Sequence, residues 1–239
     1  MELRLVTTEE ERRIFTERVE QVRAKQGYGF REGPRSRLGN IHLTFGNLYG
    51  LYENDGAPAH QMIAGLVMHD LEMFPQTCPR PDLSHLPPRS VIEVSELWSC
   101  AIGAGALARA GAAILAGLLN TQAILAYLGV KPFDGTAFYA ASGFVKVGEP
   151  LEYPYLATLT GEKILAQPMI LAGETLEKVT RVFSSLTIEA SDDCSMLRFR
   201  NFLQRKAQAE RPVLSAVASA RGNSAYRYNN LEVEAAAQL

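Results

Sequence analysis

A glycine turn between a strand-like run and an apolar helix constrains the fold more than any other feature of the sequence. Residues 91–102 predict a strand, and Gly103-Ala104-Gly105 ends it. Residues 106–120 are rich in alanine and leucine and apolar on nearly all sides, which predicts a buried helix. Residues 123–130 predict a buried strand, with a continuation of the helix as the alternative. A buried helix between two strands indicates a mixed α/β protein.

Local signals predict further elements in the first half of the chain. Thr8 and Glu11 form a capping box, which predicts a helix that begins there and ends near Lys25. The run Asn54-Asp55-Gly56-Ala57-Pro58 separates two strand-like segments, 43–53 and 61–71, and predicts a hairpin. The remaining predictions are a strand at 3–6 and loops at 26–40 and 75–88.

The second half predicts a short helix over 135–142 that Gly143 ends, followed by strands at 144–147 and 153–171. Beyond Gly173 the apolar spacing predicts a helix, and Ser191-Asp192-Asp193 offers caps for a second one. That second helix would place Met196, Phe199 and Leu203 on one face. We therefore predict a domain over 1–172 and a helical C-terminal extension and tail over 173–239.

Composition narrows the class of protein. Of the 239 residues, 47% are apolar, which is typical of a globular protein and excludes wholesale disorder. The net charge of −2 gives no basic field, so we expect no nucleic-acid partner. Three dispersed cysteines and an N-terminus without an apolar signal region favour the reducing cytoplasm.

Metal and membrane sites are not predicted. The four histidines lack the local spacing of a zinc site, so we expect no metal. The most apolar stretch, 101–130, is interrupted by several glycines, Arg109, Asn120 and Gln122, so no membrane span is expected.

The run Phe138-Tyr139-Ala140-Ala141-Ser142-Gly143-Phe144 resembles the late helix-to-strand segment of the GNAT acyltransferase superfamily. The resemblance extends over about 3–171 and is specific over 93–149. It implies a mixed central sheet flanked by helices. It also implies acyl transfer from acyl-CoA or an acyl-carrier protein to a small-molecule amine.

The same resemblance assigns the donor site. In this family the glycine loop cradles pantetheine and pyrophosphate, and a helix N-terminus binds anions through its free N–H groups. This implies donor binding by the backbone of Gly103, Ala104, Gly105 and Ala106, with Arg109 as a phosphate partner. The family signature R/Q-x-x-G-x-G/A is only loosely met by residues 109–113, and Pro132 stands where many members have asparagine. The alternative is that the glycines only close a tight turn.

Glu93-Val94-Ser95-Glu96-Leu97 resembles the E-x-S-R-F/L strand of acyl-homoserine-lactone synthases and N-acyl amino acid synthases. The resemblance makes Glu93 the candidate base, although Glu96 replaces the arginine of that branch. A backbone N–H near Trp98 or Ser99 would stabilise the oxyanion. Strand alternation predicts two faces, one with Glu93, Ser95 and Leu97 and the other with Val94, Glu96 and Trp98. The alternative for Glu93 is a surface carboxylate.

Tyr139 is the candidate general acid, because a phenol can protonate a departing thiolate. The alternative is a tyrosine packed on the sheet. The basic cluster of the C-terminal region fits an acidic acyl-carrier protein, or else the solvated face of a helix. It comprises Arg198, Arg200, Arg205, Lys206 and Arg211.

Two other functions stay open. Gly103-Ala104-Gly105-Ala106-Leu107-Ala108 satisfies the dinucleotide pattern G-x-G-x-x-A, which would make the protein an NAD(P)-binding oxidoreductase with a parallel sheet extending past Val130. The polar strand before it and the missing acidic residue weigh against this function. The second alternative is a non-catalytic module that binds an acyl-thioester or a partner.

Overall fold

The computed structural model describes residues 1–30, 41–71, 80–87, 89–130, 134–158, 160–184 and 187–200. The described helices are α1 (Glu9–Lys25), α2 (Ile41–Phe45), α3 (Ala104–Leu118), α4 (Thr136–Ala140) and α5 (Gly173–Ser184). The first strands are β1 (Glu2–Leu5), β2 (Tyr28–Phe30), β3 (Asn47–Tyr52), β4 (Met62–Asp70), β5 (Val91–Ser99) and β6 (Ala123–Gly129). The later strands are β7 (Val145–Lys146), β8 (Leu151–Thr158), β9 (Lys163–Ala172), β10 (Thr187–Ala190) and β11 (Met196–Arg200).

These strands form one mixed sheet in the order β10-β11-β1-β3-β4-β5-β6-β9-β8-β2, and β7 pairs with β9. β5 and β6 run parallel, with α3 as the crossover between them. The other neighbours of this pair, β4 and β9, are antiparallel. The mixed α/β prediction is therefore confirmed. The parallel sheet past Val130 that the dinucleotide function requires is absent from the described strands.

Helices α1 and α2 cover one face of the sheet. The predicted capping box is present, since Thr8 Oγ1 accepts from Glu11 N and the Glu11 carboxylate accepts from Thr8 N, both at 3.2 Å. One apolar cluster joins the two helices to the sheet, and its members include Phe15 of α1, Leu43 of α2 and Trp98 of β5. Both helices therefore pack on the same face.

Helix α3 covers the opposite face. A side-chain carbon at Gly111 would lie 2.4 Å from Leu3 Cδ2, so the missing side chain lets α3 approach β1 closely. Along β1 the faces alternate: Leu3 meets α3, whereas Arg4 reaches Glu11 of α1 at 2.7 Å. The apolar character of α3 is thus explained, because the helix is buried along most of its length.

The strand predicted at 43–53 begins as helix α2. Gly46 N donates to His42 O at 2.9 Å, which ends the helical turn before β3 starts at Asn47. The single strand predicted at 153–171 is instead a hairpin of β8 and β9. Its turn contains Gly161 with φ of +82°, a conformation that favours glycine.

The prediction of a second C-terminal helix is wrong, because residues 196–200 form strand β11, which pairs with β1. Ser191 and Asp193 cap a turn and not a helix: Asp193 Oδ1 accepts from Ser195 N at 3.0 Å, and Ser191 Oγ accepts from Met196 N at 3.0 Å. Residues Met1–Phe199 form one compact unit.

In the described part of the chain, no helix combines the length and the apolar character needed to cross a bilayer.

Strand β11 predicts which substitutions disturb stability. Leu197 is fully buried whereas its neighbour Met196 is half-buried. We expect Leu197→Ala to lower the free energy of unfolding by about 2–5 kcal/mol and Met196→Ala by less than about 1 kcal/mol, as measured by urea denaturation. A helix would bury Met196 beside Phe199. A larger loss of unfolding free energy for Met196→Ala than for Leu197→Ala would therefore contradict the strand.

Candidate active site

A cleft opens where β5 and β6 separate. The two strands pair only from Val91 to Glu93 and from Ala123 to Leu125, although β5 continues to Ser99 and β6 to Gly129. The space between the unpaired halves measures about 350 Å³, which is within the range of small-molecule sites. Its walls come from the strands β2, β5, β6, β8 and β9 and from the helices α1, α3 and α4.

A bulge in β5 accompanies this separation. Across the β4–β5 ladder Gly65 is opposite Trp98 and Val67 is opposite Ser95, so β5 has one residue more than β4 over this stretch. Glu96 lies within the bulge and has φ of +53°, a left-handed conformation that is rare for glutamate. Bulges bend and twist a strand locally, and this one lies along the cleft wall.

The bulge overturns the predicted alternation along β5. Trp98 packs edge-on against Phe15 of α1, with ring centroids 5.6 Å apart. Glu93 lies beside two histidines, one of which, His42, belongs to α2. Because α1 and α2 cover the same face, Glu93 and Trp98 share a face and are not on opposite ones.

The glycine loop contributes Gly105 to the cleft lining, whereas Gly103, Ala104 and Ala106 are not among the lining residues. Gly103 has φ of +77° and is the N-cap of α3, where it offers no side-chain hydrogen bond. Gly105 lines the cleft, and a side-chain carbon there would lie 3.2 Å from Ser99 Oγ. Ala104 is buried, whereas Ala106 is exposed. The loosely matched signature at 109–113 lies in the middle of α3 and not in this loop.

Tyr139 reaches the cleft from α4, and the motif around it explains its position. Asp134 Oδ1 accepts from Thr136 N at 2.8 Å, which starts the helix. Gly143, with φ of +88°, reverses the chain, so that Phe144 returns to pack against Tyr139 with ring centroids 5.0 Å apart. Burial raises the pKa of Tyr139 to about 12, so its hydroxyl stays protonated at neutral pH.

Arg109 projects from α3 into the cleft beside Tyr139. Its guanidinium carbon lies 5.3 Å from the centre of the tyrosine ring, a cation–π distance. Burial lowers the pKa of Arg109, because desolvation disfavours the charged form. Among the residues that the structure describes, no carboxylate lies within ion-pair distance, and Arg109 Nε is buried without a hydrogen-bond partner.

Glu96 is the carboxylate that lines the cleft. It forms an ion pair with Arg23 from the last turn of α1, and both side chains are largely buried. The sequence does not single out Arg23, which resembles an ordinary solvated residue at a helix end. The pair ties the β5 bulge to α1.

Glu93 does not line the cleft but is buried beside it, two residues from the cleft-lining Ser95. Its Oε2 is 3.4 Å from His69 Nε2 of β4, and the His69 ring lies 4.8 Å from the ring of His42. Burial lowers the pKa of His42, so that ring is neutral at neutral pH. The ligand atoms of the three side chains lie within 4.8 Å of one another, a set that could hold a metal ion after a small contraction. Local histidine spacing does not reveal this cluster, because its members are far apart in sequence.

Four tyrosines line the cleft, and sequence analysis selected only Tyr139. The others, Tyr28, Tyr127 and Tyr153, come from three strands that are distant in sequence. No local motif marks them, so only the fold brings them together.

Part of the predicted basic cluster can be located. Arg198 of β11 pairs with Glu2 at 3.2 Å. Three strands, β1, β3 and β4, separate β11 from β5 in the sheet, so Arg198 lies far from the cleft. The Arg200 side chain and the last three cluster residues lie outside the described residues, as does Pro132.

Comparison with solved structures gives the fold. FeeM, an N-acyl amino acid synthase from uncultured soil microbes, is similar with a TM-score of 0.51 and 13% identity. The match covers 78% of this chain and 98% of that one. The chain has the GNAT fold. The GNAT likeness predicted from residues 93–149 is therefore confirmed at the level of the fold.

Two other solved structures, both of N-acetyltransferases, are similar at lower scores. The ribosomal-protein-S18-alanine N-acetyltransferase from Escherichia coli gives a TM-score of 0.46 at 14% identity, covering 73% of this chain and 97% of that one. A GCN5-related N-acetyltransferase from Kribbella flavida gives 0.44 at 15% identity, covering 72% and 96%. No protein-family model and no curated protein matches the sequence.

Proposed function

We propose that the protein transfers an acyl group from an acyl-thioester to an amine in the cleft between β5 and β6. One observation carries the proposal: two parallel strands separate beside the uncapped start of α3, and a buried tyrosine faces the gap. An extended thioester arm would lie in this gap, and the helix start would offer N–H groups to the phosphates of CoA. Acyl-CoA or an acyl-carrier protein would serve as the donor.

The start of α3 suits the pyrophosphate of CoA. The first N–H groups of a helix have no acceptor within the helix, and Gly103 supplies no capping side chain. The helix dipole adds partial positive charge at the same point. Gly103, Ala104, Gly105 and Ala106 would therefore hold the donor through their backbone, and the Ala104 N–H, which donates to Ala101 O at 3.2 Å, would exchange that bond for a phosphate oxygen.

Ser99 is the better candidate for the oxyanion donor. Cys100 N donates to Ile63 O on the β4 side at 2.9 Å. Because successive N–H groups of a strand point to opposite edges, the Ser99 N–H points towards the cleft. A preorganised donor at this edge would stabilise the tetrahedral intermediate that forms when the amine attacks the thioester.

We propose Tyr139 as the acid and Glu93 as the base. Tyr139 lines the cleft and stays protonated at neutral pH, so it can give its proton to the departing thiolate. Glu93 lies two residues from Ser95, which lines the cleft on the same face. A water at Ser95 would carry a proton from the acceptor ammonium to the Glu93–His69 pair, which leaves the free amine to attack the thioester.

The acid role predicts the effect of one hydroxyl group. We expect Tyr139→Phe to lower kcat by about 100-fold or more, because the thiolate loses its proton donor. Tyr153→Phe is the matched control, since Tyr153 also lines the cleft, and should retain kcat within about threefold. Thiol release from acetyl-CoA and octanoyl-CoA with a panel of primary amines measures both. Equal rates in the two variants would remove Tyr139 from the mechanism.

The base role predicts a difference between two glutamates on β5. Glu93→Gln should lower kcat by about 100-fold while leaving donor affinity unchanged. Glu96→Gln should act mainly on stability, because it leaves the buried Arg23 without its carboxylate. The same thiol assay, combined with thermal unfolding, separates the two effects. A loss of kcat confined to Glu96→Gln would transfer the base role to the glutamate that lines the cleft.

A further inference from the structure

The cleft carries one uncompensated positive charge. Among the described lining residues, the charged side chains are Arg23, Glu96 and Arg109. Arg23 and Glu96 neutralise each other in an ion pair. The remaining charge belongs to Arg109, so an anionic ligand is favoured over a neutral or cationic one.

Arg109 differs from Arg4, Arg23 and Arg198, each of which pairs with a carboxylate. Arg4 pairs with Glu11 at 2.7 Å, and even the more exposed Arg198 pairs with a carboxylate, that of Glu2, at 3.2 Å. Within the part of the chain that the structure describes, Arg109 has only the tyrosine ring of α4 as a neighbour for its charge.

Arg109 is half-buried with its Nε buried, and a partly desolvated cation without a counter-ion is destabilising. Such a group fits a site in which the bound ligand provides the opposite charge.

The position of Arg109 separates it from the donor phosphates. It lies six residues beyond Gly103 along α3, which corresponds to about 9 Å at 1.5 Å per residue. The helix start already offers its own N–H groups to a pyrophosphate. Arg109 stands instead beside Tyr139, where the reacting atoms of an acyl transfer would meet.

We infer that Arg109 binds a carboxylate that one of the two substrates presents inside the cleft. The inference rests on the proposed function and deepens it, because it limits the substrate class. The carboxylate belongs either to the amine acceptor, as in an amino acid, or to the far end of the acyl group. The planar guanidinium pairs with a carboxylate through two parallel hydrogen bonds, and the aromatic surroundings strengthen the pair by excluding water.

Three small amides test this inference without turnover. N-octanoylglycine carries a carboxylate on the acceptor side, suberic acid monomethylamide carries one at the far end of the acyl chain, and N-methyloctanamide carries none. Their dissociation constants are measured by calorimetry at low salt for the wild type, Arg109→Met and Arg109→Lys. Arg13→Met, on the exposed side of α1, is the matched control.

One of the two carboxylates should bind the wild type at least about tenfold more tightly than the neutral amide, as expected for a charge-assisted hydrogen bond. The amide that gains affinity identifies which substrate carries the carboxylate. Arg109→Met should reduce this preference to less than about twofold and leave the neutral amide unaffected, whereas Arg109→Lys should retain part of it. Arg13→Met should behave as the wild type.

Two results would overturn the inference. The first is a wild type that binds all three amides equally, a comparison that needs no variant to fold. The second is an Arg109→Met protein that loses affinity for CoA but keeps the carboxylate preference, since the guanidinium would then serve the donor phosphates.

Thiol release separates this inference from the proposed function. A carboxylate preference that depends on Arg109, in a protein that consumes no thioester, would support the subsite and refute acyl transfer. Thioester consumption without any preference would refute the subsite and leave acyl transfer intact.

Discussion

The limited pairing of β5 with β6 is the constraint on which the rest of the site depends. Two parallel strands that stayed paired would leave no space between them, and the start of α3 would face a closed sheet. One extra residue in β5, with Glu96 in a left-handed conformation, bends the strand where the gap begins. The ion pair between Glu96 and Arg23 fixes that bend to α1 and balances the charge of both buried groups.

The sheet separates two kinds of chemistry around the cleft. On the face of α1 and α2 lie Glu93, His69 and His42, a buried cluster of one carboxylate and two imidazoles. On the side of α3 and α4 lie the uncapped helix start, Arg109 and Tyr139, which offer positive charge and a phenol proton. The gap between β5 and β6 is where groups held by the two sides would meet, which fits a reaction that deprotonates one substrate and protonates the leaving group of the other.

Features that depend on neighbouring residues could be predicted from the sequence. The capping box at Thr8, the hairpin after β3, the apolar helix α3 and the turn at Gly143 are all local. The bulge at Glu96 was not predictable from alternation, because no glycine or asparagine marks its positive φ. The histidine cluster and the cleft tyrosines were missed because tertiary contacts alone bring them together. Strand β11 was missed because Ser191 and Asp193 cap turns as readily as helices.

Hydrogen exchange in the presence of octanoyl-CoA tests most directly whether this gap is the donor site. Saturating octanoyl-CoA should slow the exchange of backbone amides at residues 96–106 and 127–129, which border the gap and the start of α3. Amides of β1, β3 and β11, at the other side of the sheet, should exchange as in the free protein. Protection confined to those distant strands, or none at 96–106, would contradict the account.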